Sequence, residues 1–183
     1  AMWRTWLVAD QRFLQGRRDQ LSYSTGPLAT ALLLTGSPEV DLYASTTGTD
    51  SDWVVKLIDV YPDTPETPAA LRGHHLILTA DIFRGRYREG FDEARPLPAG
   101  QALRYRFTLP PLNHVLQPGH RLMVQVQSSW FPLYDRNPQT FVPNIFFATP
   151  GDYRAATQTI VRSPAKPSLI RVIATPCRPD CAQ

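Results

Sequence analysis

The chain has 183 residues, 43% of them hydrophobic and 19% charged, enough to bury a core and too apolar for a disordered polyelectrolyte. Its 19 basic and 16 acidic side chains interleave, so the net charge of +3 marks no polybasic face, and no nucleic-acid partner is expected. No apolar run nears the ~20 residues that span a bilayer, so no membrane partner is expected either, and 18 Pro with 10 Gly spread along the length disfavour long helices.

Ala1 ahead of Met2 reads as an expression remnant, with Met2 as the expected start codon, and Ala1-Met2-Trp3-Arg4 lacks the apolar core of a secretory signal. Short strands are predicted at residues 32–34 and 40–45. Residues 53–60 are apolar on both faces apart from Lys56 and Asp59 and rich in β-branched side chains, which predicts a central strand covered on both sides and ended by Tyr61-Pro62-Asp63. Thr49, Asp50 and Asp52, just before it, lack the glycine and terminal glutamate of an EF-hand loop and read as turn-forming side chains. Residues 64–73 read as a surface loop and 76–83 as the next strand. Arg84-Gly85-Arg86-Tyr87-Arg88 is followed at once by Glu89, Asp92 and Glu93, and is expected to be a solvated, self-paired strand end.

Residues 103–109 alternate without a break, with Leu103, Tyr105, Phe107 and Leu109 on one side. Gln117-Pro118-Gly119-His120 has the chemistry of a type II turn, and after it Leu122, Val124 and Val126 share a strand face. The run Ser128-Ser129-Trp130-Phe131-Pro132-Leu133-Tyr134-Asp135-Arg136-Asn137-Pro138 is expected to be mostly loop, because Pro132 lacks the N–H that a central ladder needs. Strands follow at 157–162 and 169–174, and residues 174–183 are expected to be an irregular tail. In it, Cys177 and Cys181 lie close enough for a short-loop disulfide and lack two further zinc ligands nearby; two tail thiols without a role are the favoured reading. Many short strands joined by Gly/Pro turns predict an all-β fold, a jelly-roll β-sandwich of two antiparallel sheets forming one domain over residues 1–183.

Four segments together resemble one family: Ala9-Asp10-Gln11-Arg12-Phe13, the run from Thr47 to Asp63, Phe83-Arg84-Gly85-Arg86-Tyr87-Arg88-Glu89, and the Trp130 segment continued through Asn144-Ile145-Phe146-Phe147. The family is the C-terminal domain of the X-Pro dipeptidyl-peptidase-like serine hydrolases, the group of cocaine esterase, glutaryl-7-aminocephalosporanic acid acylase and the α-amino acid ester hydrolases. The resemblance covers about residues 9–173 and implies a galactose-binding-like jelly roll without catalytic function. In such enzymes the Ser, Asp and His triad sits on a preceding α/β-hydrolase domain, with its serine in an elbow comparable to Gly-x-Ser-x-Gly. No such pentapeptide occurs here.

No residue is therefore given a catalytic, cofactor-binding or metal-ligating role, and no cofactor is expected. His74, His75, His114 and His120 are read as surface or turn residues. Trp130, Phe131, Leu133 and Tyr134 beside Asp135, Arg136 and Asn137 form an apolar cluster with a polar edge, which with Trp3 and Trp6 is expected to meet an α/β-hydrolase domain, missing or separately encoded. If bare, that surface favours homo-oligomers. The competing reading is a free-standing carbohydrate-binding module stacking sugars on aromatics.

Overall fold

A computed structural model describes residues 8–177, so Trp3, Trp6 and Cys181 lie outside the described residues. The described residues fold as two antiparallel sheets joined by loops and short 3-10 turns. One sheet has the order β1 (Gln20–Ser24), β7 (Arg121–Gln127), β3 (Asp52–Val60), β4 (His75–Arg84). The other is built on β2 (Leu32–Thr46), flanked by β11 (Leu169–Pro176) and β5 (Leu103–Thr108), with β6 (Leu112–Leu116) and β8 (Gln158–Ile160) also pairing with β2. A small hairpin of β9 (Arg162–Ser163) and β10 (Lys166–Pro167) stands apart. This is the antiparallel β-sandwich that the alternating pattern predicts.

The core lies between the sheets. Leu34, Val40, Leu42 and Ala44 of β2 face Trp53, Val55 and Leu57 of β3, with Tyr105, Leu109, Leu116 and Val126 filling the space. The Trp53 and Tyr105 rings meet at 5.4 Å, and Phe83 stacks on Phe107 at 5.2 Å. As predicted, β3 is central and buried along its length, and β5 turns Tyr105 inward and its arginines outward. The Gln117–His120 turn closes with the His120 N–H donating to Gln117 O at 3.1 Å, and Gly119 supplies the positive φ of 82° that a type II turn requires.

Several boundaries differ from the expectation. Residues 32–34 and 40–45 are one 15-residue strand, because Gly36, Ser37 and Pro38, read as a break, form a bulge opposite Val172 and pairing resumes beyond it. The tail is not irregular from residue 174 onward: Ala174, Thr175 and Pro176 pair with Leu34, Leu33 and Leu32. Cys177 then donates its N–H to Ala31 O at 2.9 Å and is disulfide-bonded, against the reading of role-free thiols. The edge strand β1 and the short β6 went unrecognised.

Gly48 illustrates how tightly the loops close the sandwich's end. A Cβ there would stand 2.2 Å from the Gln139 carbonyl oxygen, which itself accepts the Thr49 N–H at 3.1 Å. Gly48→Ala is expected to cost about 1–3 kcal/mol, read as a lowered midpoint in urea unfolding. An unchanged midpoint would mean that the 139–142 segment yields freely.

Candidate domain interface

The Trp130 segment packs over the outer face of β3, the face opposite the core. Its polar residues reach inward to the end of that strand. Asn137, 6% exposed, donates its Nδ2 to Asp52 Oδ1 at 3.0 Å and accepts the Gln139 N–H at 2.8 Å. Asp135 Oδ1 accepts from Arg84 Nη2 at 2.5 Å, and Arg84 also lies 3.6 Å from Asp52. Burial lifts the Asp52 carboxyl to about 7, against the pull of Arg84 and Asn137. Asp135 and Asn137 thus fasten the loop to the sheet.

The aromatic residues divide. Trp130 is buried and its ring lies 5.9 Å from Tyr134, while Leu133 and Tyr134 are half-buried. Phe131 is 58% exposed, with the Arg136 guanidinium 4.7 Å from its ring centroid. Phe131 is followed by a cis peptide to Pro132.

A second loop completes the site. The Asp10 side chain caps the turn Gln11–Leu14 by accepting the Arg12 N–H at 3.0 Å, and ties it to β4 by accepting the His75 N–H at 3.1 Å. This fixes Gln11, whose Nε2 donates to Ala9 O at 2.7 Å and whose Oε1 accepts from Lys56 Nζ at 2.9 Å. Lys56 is 1% exposed in the middle of β3, and its Nζ lies 5.3 Å from the Trp130 ring centroid. Among the described residues no carboxylate pairs with it, and burial pushes its pKa down to about 8. Between the two loops a cleft of about 800 Å³ is lined by Lys56, Phe13, Leu14, Trp130, Phe131 and Arg136, among others. Phe13 on its rim is 62% exposed.

Elsewhere the electrostatics depart from the sequence reading. Arg86 is not solvated: it is 3% exposed and directs Nε and Nη2 to Asp50 Oδ2 at 2.9 and 2.7 Å, with Nη2 also donating to Val142 O at 2.8 Å. Asp50, 0% exposed, does accept the Ser51 N–H as a turn residue would, but its main partner is that guanidinium. Arg88 and Arg95 do pair with the local acids, Arg88 with Glu89 and Arg95 with Glu89 and Glu93. The histidines are not merely surface groups either. Asp59, 1% exposed, takes His120 Nδ1 at 2.7 Å and His114 Nε2 at 2.9 Å, which braces the two sheets against each other, and His75 is buried at the start of β4. Among the described residues no group of three or more His, Cys, Asp or Glu is placed to hold a metal ion, and no helix is long and apolar enough to cross a membrane.

Comparison with known proteins agrees with this architecture. Residues 3–171 match the family described as the X-Pro dipeptidyl-peptidase C-terminal non-catalytic domain. Over 132 residues the chain is 39% identical to cocaine esterase of Rhodococcus sp. (strain MB1 Bresler), covering 72% of this chain and 21% of that protein. Its fold superposes on an α-amino acid ester hydrolase with a TM-score of 0.91 at 58% identity, covering 95% of this chain and 28% of that one. An aminopeptidase from the marine sediment archaeon Thaumarchaeota archaeon is likewise similar, with a TM-score of 0.91 at 55% identity over 96% of this chain and 29% of that chain. The chain spans less than a third of the length of each of these relatives. With two antiparallel sheets and a family match over nearly its whole length, the chain belongs to the X-Pro dipeptidyl-peptidase C-terminal non-catalytic domain family.

Proposed function

We propose that this domain packs on an α/β-hydrolase domain and forms part of the wall of its substrate cleft, within a serine hydrolase acting on esters or amides. The observation that carries the reading is the rim around β3. Phe131 and Phe13 stand 58% and 62% exposed beside a buried, anchored Trp130, giving an apolar edge on a rigid base. Such an edge costs little ordering entropy when covered by a partner. Trp130 itself is too buried to stack a sugar, which leaves the carbohydrate-binding reading with less support.

In the solved α-amino acid ester hydrolase, the residues superposing on Phe13, Phe131 and Arg136 are expected within about 4.5 Å of residues outside the matched segment. Finding all of them facing solvent in that chain would reject the placement. The purified 183-residue chain is expected to leave aminoacyl esters unhydrolysed and, with its rim bare, to self-associate in light scattering as concentration rises. Phe131→Asp should suppress that association. A wild-type chain that stays monomeric at high concentration counts against an adhesive rim.

A further inference from the structure

A buried ammonium without a counter-charge is costly, and proteins ordinarily neutralise it or pair it. Lys56 has three N–H donors and, among the described residues, one acceptor in contact, Gln11 Oε1 at 2.9 Å. It lines a cleft of about 800 Å³, within the size range of ligand pockets. The other titratable groups on that cleft leave its positive character intact. Arg17 and Asp19 pair with each other, and Arg136 has no carboxylate partner among the described residues, its guanidinium resting on Phe131. Phe13 and Phe131 add apolar surface at the mouth.

We infer that this cleft is a binding site for a small monocarboxylate with an apolar body, whose carboxylate is received by the Lys56 ammonium and whose body lies against Phe13 and Phe131. The anion supplies the counter-charge that Lys56 lacks among the described residues, and Arg136 adds a second attractive cation nearer the opening. The site shares Phe13, Phe131 and Arg136 with the proposed hydrolase contact, but it is tested on the chain by itself, so the two readings fail separately.

The test is calorimetric titration of the 183-residue chain with sodium phenylacetate and, as its uncharged counterpart, phenylacetamide. The acid is expected to bind at least about tenfold more tightly than the amide at neutral pH, and that preference should vanish in Lys56→Met. It should also fall at least about fivefold by pH 9.5, where a lysine titrating at about 8 has lost its charge. Lys56→Met removes a buried charge and is expected to fold, as circular dichroism would verify. Equal affinity for acid and amide, an undiminished preference in Lys56→Met, or no heat with phenylacetate at ~20 mM would each overturn the assignment.

Discussion

Asp50→Ala is expected to cost about 3–5 kcal/mol of stability, because it strands the Arg86 guanidinium in the interior. The pair closes the sandwich at the entry to β3: Asp50 precedes the strand, Arg86 follows β4, and Arg86 Nη2 also holds Val142 O at 2.8 Å. With Asp50 gone, a side chain 3% exposed keeps a full charge that it cannot shed, since arginine stays protonated at any accessible pH. Arg86→Met should be milder. Burial already raises the Asp50 carboxyl above its ordinary value despite Arg86, so it can take up a proton and become neutral when its partner is lost. The double variant Asp50→Leu with Arg86→Met should recover most of the loss, since an apolar pair replaces a desolvated one. Urea unfolding of all three variants checks the ranking. If Asp50→Ala lowers stability no more than Arg86→Met, the asymmetry between the two charges is wrong.

What was legible in the sequence followed from periodicity and punctuation. The alternation of Leu103 to Leu109 and the unbroken apolar run of β3 translate directly into which side chains face the core. Where the sequence misled, long-range partners decided. Gly36-Ser37-Pro38 carries every mark of a break, yet the ladder with β11 bridges it as a bulge. β1 exists because it borrows the edge of β7, which no local signal announces. The candidate site was legible by composition but not by orientation. Trp130 through Asn137 stand out as a cluster, yet burial turns Trp130 and Asn137 inward and leaves Phe131 outside. The missed partners had a usable signal. A strand covered on both faces must bury whatever polar residues it carries, so Lys56 and Asp59 each demanded a partner, and Gln11 and the pair His114 and His120 supply them. Sequence separation hid those partners, because Gln11 and Lys56 stand 45 positions apart in the chain and Asp59 and His120 stand 61 apart.

Lys56→Met should raise stability at neutral pH by about 2 kcal/mol, an uncommon direction for a buried substitution. The lysine titrates at about 8 in the folded chain against an ordinary 10.5, because burial disfavours its charged form. At about 1.4 kcal/mol per unit, the charge therefore destabilises the fold by up to about 3 kcal/mol wherever both states are protonated. Loss of the hydrogen bond to Gln11 Oε1 returns about 1 kcal/mol of that gain. The sign with pH follows from proton counting. Between about 8 and 10.5 the unfolded chain holds a proton that the folded chain has released, so wild-type stability attributable to this group rises as pH rises. The advantage of Lys56→Met should accordingly be full below about pH 8, pass through zero before 10.5 and end as a deficit of about 1 kcal/mol, the lost hydrogen bond to Gln11, measured as the difference between the two proteins' urea midpoints so that other titrations cancel. A substitution that instead destabilises the chain equally at neutral and alkaline pH would show that the ammonium is compensated by contacts stronger than Gln11 and the Trp130 ring.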